Sequence, residues 1–550
     1  MRVRNGEEIM KIFGKAPAPG VGRIDFGTCH IDYEIARQDT DYRLTGRISG
    51  SPGRIEVLRT KAPETLLMNN WQSWGPMQKV SRGERFPEFE EIRLSERGYL
   101  FSPIPEDFRR TLISDYFAGW DGSVLGFLTS RDAHPFFAVE GDEIVGYLEY
   151  FGADLGDGRE LEPLVVLQGK PVEDLLEEYG ALAGAANSVA VNPWNPVGWC
   201  SWYQYFGKLT WMDVLKNLDI AGRNPAFPFE IFQIDDGYEE DIGDWDKGRA
   251  GYPTLEEMAR AIRSKGFKAG IWTAPFSAAE TSDLFRKHSD WMVSENGLPK
   301  VAYRAWGKAI YALDTTHAEA KKWLYDTFAA QKKAGFEYFK IDFLFAAAIP
   351  GGRARNVTPI RAYREGLETI RQAVGRGFVL GCGAPLLPSA GLVDGMRIGE
   401  DTAPYWKTKP SPFQGPNAFF ALRNALMRQF MHGRLWLNDP DCILLRSSDI
   451  GLSGNERQLF ALASGAMDNM IIASDDLSLV DERGKALLET TLGMRGGKAR
   501  VRGLLGNGLY LIRSQGGPAG DITLAANLED KAFSWKGRTV PARTATRLLP

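Results

Sequence analysis

The chain has 550 residues, with 66 Lys+Arg against 70 Asp+Glu, a net charge of −4. That balance leaves no broad basic face for a nucleic acid or an anionic membrane surface. A content of 44% hydrophobic residues, with 15 Trp, 30 Phe and 18 Tyr, excludes a disordered polypeptide.

At roughly 150 residues per domain the length predicts three or four domains. The opening MRVRNGEEIMKIFGKAPAPG carries no long apolar run. No stretch reaches the roughly 18 apolar residues of a membrane span, so a soluble, cytoplasmic protein is expected. Cys29, Cys200, Cys382 and Cys442 lie far apart, and the five histidines form neither HxH nor HExxH. Neither disulfides, nor a metal, nor a cofactor is expected.

Residues 1–188 read as an all-β unit. DYRLTGRISG, RIEVLRT, SVLGFLTS and HPFFAVEGDEIVGYLEYF alternate apolar with polar residues, the period of half-buried strands, and Gly141 to Glu143 reads as a hairpin turn. No helix is expected here, and a β-sandwich is the natural packing for so many strands.

Residues 189–477 read differently. Eight short apolar runs (VGWCSW, FEIFQIDD, FKAGIWTA, EYFKIDFLF, FVLGCGAP, DGMRIGED, RLWLND and NMIIAS) alternate with helical patterns. Thr210 with Asp213, Thr254 with Glu257 and Thr316 with Glu319 read as helix starts. Ala320, Leu324 and Phe328 share one face, as do Phe419, Leu422, Leu426 and Phe430. Eight strand–helix units predict a (β/α)8 TIM barrel. Its third-to-fourth connection carries an extra segment, His288 to Asp314, and LLPSAGLV is too short for a full helix. Residues 478–550 return to alternation (GLYLIRS, DITLAANL, AFSWKG) and predict a small C-terminal β-domain.

A TIM barrel carries its active site at the C-terminal strand ends. Here those ends hold Trp199 and Trp202 to Tyr205, Asp235 and Asp236, Trp272, Lys340 and Asp342, Cys382 and Gly383, Arg397 and Asp401, Asn438, Asp439 and Asp441, and Asp475 with Asp476. Carboxylates and indoles without histidine suit a sugar, whose C–H face packs on aromatic rings while its hydroxyls bond to charged groups. Two carboxylates from different strands can divide the work of glycoside cleavage. Lys340 and Asp342 stand two apart and share a face; the cation favours an ionised Asp342, and the alternative is an interior ion pair. Asp235 and Asp236 read as a turn, a metal pair or a hydroxyl clamp. Asp401 reads as a catalytic acid or a surface Asp, and Asp439 and Asp441 as loop anchors. Cys382 between two glycines suggests close approach of a ligand to the backbone. Trp199 and Trp202 fit ordinary core, whereas for Trp71 and Trp74, in the polar, Gly/Pro-flanked loop NNWQSWGP, core is the weaker reading.

These pieces together (NNWQSWGP, GWCSWYQYF, FQIDDGY, GIWTAPF, YFKIDFLF, GCGAP, MRIGEDTAPYW and WLNDPD) resemble the α-galactosidases of glycoside hydrolase family 36 in their compact bacterial form. The resemblance runs from about residue 50 to 480. It implies an N-terminal β-supersandwich, a catalytic barrel and a C-terminal β-sandwich. It also implies hydrolysis of α-galactoside oligosaccharides by retaining double displacement, with Asp342 as nucleophile and Asp401 as acid/base. The galactose-contacting positions it implies are Trp74, Tyr203, Asp235, Asp236, Trp272, Lys340, Cys382, Gly383 and Arg397. For Asp401 to arrive protonated, burial and the charge of Asp342 must outweigh Arg397. Arg397 is therefore expected to face the sugar 2-hydroxyl instead of Asp401. Two other chemistries fit the same strand ends: a Schiff-base lyase using Lys340, and a divalent-metal enzyme of enolase type using Asp235, Asp342 and Asp401.

Overall fold

The computed structural model describes residues 10–83, 111–407 and 416–548. Alternation in the N-terminal third becomes two antiparallel sheets. Arg54–Lys61, Met10–Ile12, Ile113–Asp115 and the hairpin His134–Glu140/Glu143–Glu149 form a five-stranded sheet. Glu140 pairs with Glu143 around a turn in which Gly141 takes φ +65°. A nine-stranded sheet includes Asp41–Gly50, Ser123–Phe127, Thr65–Asn69 and Met77–Ser81. Ile31, Leu44 and Ile48 from the larger sheet and Val57, Phe137 and Leu148 from the smaller one close a shared core.

The expectation of no helix in this third is wrong. Val172–Ala186 forms α1, with Glu173 and Asp174 in its first turn, where acidic side chains complement the helix dipole. Gly180 and Gly184 lower its propensity but let it approach the barrel. A Cβ would come to 2.8 Å of the Phe430 carbonyl oxygen at the first and 2.4 Å of the Arg434 carbonyl oxygen at the second.

All eight apolar runs of the central region are strands: β1 (Val197–Cys200), β2 (Ile231–Ile234), β3 (Lys268–Thr273), β4 (Phe336–Ile341), β5 (Phe378–Gly381), β6 (Gly395–Arg397), β7 (Leu437–Asp439) and β8 (Ile471–Ala473). They pair in parallel in the order β7-β6-β5-β4-β3-β2-β1-β8. Met470 N–H donates to the Asn438 carbonyl at 3.0 Å and draws β8 towards β7, so the barrel is nearly closed. Helices α2 (Trp211–Arg223), α3 (Leu255–Ser264), α4 (Ala318–Ala334), α5 (Pro359–Val374), α6 (Ala418–Met427), α7 (Gly454–Ala466) and α8 (Glu482–Gly493) surround it. Only four helical residues, Leu386–Ser389, join β5 to β6. Capping boxes at Thr210/Asp213 and Thr254/Glu257 start α2 and α3. The α4 cap is His317, whose side chain accepts from Ala320 N–H, because Thr316 is turned back to Asp314. Alternation did not announce α8. Beyond it, four antiparallel strands (Lys498–Arg502, Leu509–Gly517, Gly520–Asn527, Thr544–Leu548) present one face to the main core and the other to the hairpin Phe533–Trp535/Arg538–Val540.

The N-terminal unit is stapled to the barrel mouth. The loop joining Thr65–Asn69 to Met77–Ser81 runs along the backbone beyond β5: Ser73 N–H donates to the Ala384 carbonyl (2.9 Å) and Leu386 N–H to the Trp71 carbonyl (2.8 Å). Arg428, fully buried, donates to Asn69 Oδ1 (2.8 and 3.0 Å) and to the Ser73 and Ile398 carbonyls (both 2.9 Å). Burial pushes its pKa down to about 9, so the guanidinium stays charged at neutral pH. Arg428→Met orphans three buried oxygens, at about 1–3 kcal/mol each before relaxation. A melting temperature several degrees lower is expected, with Arg428→Lys recovering only part because it lacks the planar fork. Equal melting of wild type and Arg428→Met would show that the staple contributes nothing.

Candidate active site

The strand ends and the stapled loop enclose a cavity of about 250 Å³. That is the liquid share of roughly eight waters, enough for a sugar ring. Trp74 comes from the N-terminal loop, Asp235 and Asp236 follow β2, Trp272 lies on β3, Lys340 and Asp342 come from β4, and Asp401 follows β6; all line it. Trp202, Trp306, Phe343 and Glu400 complete much of the wall. Trp306 belongs to the extra segment between β3 and α4. There Val301–Ala305 and Lys308–Ala312 form a hairpin with Trp306 and Gly307 at its tip, both in left-handed backbone. The indole is 37% exposed and donates to Asp236 Oδ2 at 2.9 Å.

The carboxylates have unequal partners. Asp235 Oδ2 receives the Lys340 ammonium at 2.8 Å, while Gln233 and Cys200 donate to the same oxygen. Burial is the largest single influence on Lys340 and opposes its charge, but Asp235 together with smaller contributions from Cys200 and Cys382 raises the pKa well above the usual lysine range. Asp342 is held by neutral donors: the Trp272 indole reaches Oδ2 at 3.1 Å and Phe343 N–H reaches Oδ1 at 2.8 Å. Burial pushes the Asp342 pKa up and Asp401 adds to the rise, against Lys340, the Cys382 thiol and Arg397. The sequence-based expectation that Lys340 keeps Asp342 ionised is therefore only a counterweight, since Lys340 pairs with Asp235.

Four expected residues stand behind the wall. Tyr203 donates its hydroxyl to Asp441, and Cys382 Sγ accepts the Trp74 indole N–H at 3.3 Å. Gly383, at φ +52°, is required by close packing: a Cβ would lie 3.1 Å from both Trp74 and the Phe343 nitrogen. Arg397 is fully buried among three carboxylates, 2.8 Å from Asp441, 3.4 Å from Asp439 and 2.9 Å from Asp401. The expectation that it turns away from Asp401 is wrong: its Nη1–H donates to Asp401 Oδ1 across an i,i+4 spacing. Asp439 and Asp441 anchor this guanidinium, and burial together with neighbouring charge puts the Asp441 pKa at about 6. Trp71 is core, contrary to expectation; Trp199, for which a core place was an open reading, is core too, stacking on Phe232 and donating to the Asp475 carbonyl. Trp306 and Phe343 were missed; an indole beside a Gly turn in the extra segment was the available signal for the first.

Residues 34–168 match the family described as "Alpha-galactosidase, N-terminal", and residues 196–367 match the family "Melibiase", together more than half of the chain. The structure superposes on TtGalA, an α-galactosidase from Thermus thermophilus, with a TM-score of 0.71 and 27% identity, covering 91% of this chain and 98% of that one. The chain belongs to the family that the two domain matches describe, an α-galactosidase N-terminal domain followed by a melibiase domain. It is 32% identical over 133 residues to an Escherichia coli α-galactosidase, covering 22% of this chain and 18% of that protein. AgaA of Geobacillus stearothermophilus matches at 25% over 178 residues, 30% of this chain and 24% of AgaA. The chain thus matches less than a quarter of the length of these two relatives.

Within this family member, Arg397→Lys keeps the charge but cannot bridge three carboxylates. Uncovering a buried carboxylate costs about 3–5 kcal/mol, so a clear loss of melting temperature at neutral pH is expected. Melting like the wild type would show that the three carboxylates do not depend on the fork.

Proposed function

We propose that the chain is a retaining exo-α-galactosidase that removes terminal α-D-galactosyl residues from oligosaccharides of melibiose or raffinose type. The observation that carries this reading is the presence of Asp342 and Asp401 on the wall of one small, aromatic-lined cavity, each in a different electrostatic setting. TtGalA has been solved with p-nitrophenyl α-D-galactopyranoside and with stachyose, which supports an α-galactoside as substrate.

In this mechanism Asp342 attacks the anomeric carbon. The Trp272 and Phe343 N–H groups orient both of its oxygens, and an anion without a directly bonded cation stays nucleophilic. Asp401 protonates the departing oxygen, then takes a proton from the water that releases galactose. Arg397, held by Asp439 and Asp441, orients Asp401 through its Oδ1. Asp235, Asp236 and Lys340 receive the axial O4, O6 and O3 of galactose, while Trp74 and Trp272 cover its apolar surface. Tyr203, Cys382 and Gly383 act through the wall groups they hold. The ammonium state that Asp235 imposes on Lys340 disfavours a Schiff-base lyase. The hydrogen bonds that occupy Asp235 disfavour its use as a metal ligand.

Asp342→Ala is expected to abolish turnover, and a mechanism-based fluorinated galactoside should label Asp342 in the wild type; labelling of another residue contradicts the assignment. Asp401→Ala should slow melibiose cleavage far more than attack on a nitrophenyl galactoside, whose leaving group needs little protonation. Azide should restore turnover of that variant as α-galactosyl azide. Equal loss on both substrates without azide rescue would make Asp401 structural. Asp235→Ala or Asp236→Ala should each cost more than about tenfold in kcat/KM, from roughly 1.5–3 kcal/mol per charged hydroxyl contact. Comparable cleavage of α-glucosides would refute the O4 clamp.

A further inference from the structure

Beyond β1 the chain runs along the cavity mouth. Trp202 opens the short helix Trp202–Tyr205 and lines the cavity half-buried, while Tyr203 beside it is fully buried. Tyr203 donates its hydroxyl to Asp441 Oδ2, and the N–H of Thr402, next to Asp401, donates to the same oxygen at 2.7 Å. One carboxylate oxygen thus ties the neighbour of Trp202 to the neighbour of Asp401, and sets the indole and the proposed acid on one side of the mouth. A general acid stands on the side of the departing oxygen. Asp401 keeps 34% of its side chain exposed there. Trp306, the exposed indole of the β3–α4 segment, donates instead to Asp236, at the end of the proposed galactose away from that oxygen.

The short helix closes at Phe206, whose N–H donates to the Trp202 carbonyl. Its ring meets Trp202 edge-on, with centroids 5.4 Å apart and planes at 75°. Phe206 is 42% exposed and lies in left-handed backbone at φ +50°, a costly conformation for a bulky side chain. The turn that imposes it is braced: Arg249 donates to the Gly207 and Leu209 carbonyls, and the Tyr252 hydroxyl also donates to Leu209. A rigid turn therefore holds a strained aromatic ring in solvent, directly outside a cavity-lining indole.

We propose that Trp202 and Phe206 form a platform for the leaving sugar, with Trp202 under the ring bonded to galactose and Phe206 under the ring beyond it. This rests on the reading of the cavity as a galactose site. Sugar rings present flat C–H faces that pack on aromatic surfaces. A platform fixed to Asp401 through Asp441 and Thr402 presents the departing oxygen to the acid as the aglycone settles. The pair thereby sets which leaving groups are preferred, and two-ring leaving groups gain most.

The test is kcat/KM of the full chain on α-galactosyl fluoride, p-nitrophenyl α-galactoside, melibiose and raffinose. The fluoride leaves without a ring, the nitrophenyl ring leaves with little protonation, and melibiose and raffinose release one and two sugar rings. Each value is divided by that for the fluoride, so that damage to the galactose site cancels. Trp202→Ala should lower all the ratios by about three- to tenfold, the size of one aromatic contact, and Trp202→Phe should recover much of the loss. Phe206→Ala should lower the raffinose ratio more than the melibiose ratio. If Trp202→Ala does not fold, Trp202→Leu, which offers no flat face, takes its place. Unchanged ratios overturn the platform. A fall for melibiose and raffinose alone, with the nitrophenyl ratio kept, means that Asp401 has moved and also overturns it. A Phe206→Ala that treats raffinose and melibiose alike overturns the outer position. Wild type that cleaves none of these galactosides overturns the reading of the cavity itself.

Discussion

Five carboxylates crowd the mouth of one barrel, and water is largely excluded from them. Asp235, Asp236, Asp342, Asp439 and Asp441 are all buried, and Asp401 stands beside them half-exposed. Charge burial on this scale is costly unless it is paired or hydrogen-bonded, and two buried cations, Lys340 and Arg397, are shared out unevenly. Lys340 goes to Asp235, and Arg397 to Asp439, Asp441 and Asp401. Asp342 receives indole, amide and thiol donors, and Asp236 an indole. The arrangement of wall, loops and neighbouring strands follows from that division. It leaves the proposed nucleophile without a directly bonded cation.

The barrel alone does not close the cavity. Trp74 reaches it because the loop of an N-terminal hairpin is bonded to the backbone beyond β5 and clamped by Arg428. Trp306 reaches it because the β3–α4 connection carries its own small sheet. That sheet is tied to the β2 loop by the Lys308 ammonium on Asp241 and by Ala279 N–H on the Ile242 carbonyl. One indole therefore depends on the interface between units and the other on a hairpin tip, and both walls stand on loops with rigid supports.

Strands were legible where their surroundings impose a simple pattern. Parallel strands buried on both faces read as continuous apolar runs, as in Ile231–Ile234, and hairpins with one buried face alternate, as in His134–Glu140. Helix α1 was illegible because Gly180 and Gly184, poor helix formers, serve close packing against Phe430 and Arg434. The α4 start was misread by one residue because Thr316 bonds backwards to Asp314. Position along the strands identified Asp235, Asp236, Trp272, Lys340, Asp342 and Asp401 as candidates. It could not tell that Arg397 would point at Asp401, since an i,i+4 contact across a turn depends on the turn. Nor could it find Trp306, whose contact with Asp236 exists only once two loop hairpins fold against each other.

The central claim is that Asp342 and Asp401 act as a nucleophile and an acid/base on opposite sides of one anomeric carbon, which requires carboxyl groups about 5–5.5 Å apart. The most direct measurement is a proton NMR time course of p-nitrophenyl α-galactoside hydrolysis, read before the anomers equilibrate. The account predicts that α-galactose appears first and the β-anomer grows in only by mutarotation. β-Galactose as the first product would mean that water attacks directly, and would contradict the assignment of Asp342 as nucleophile.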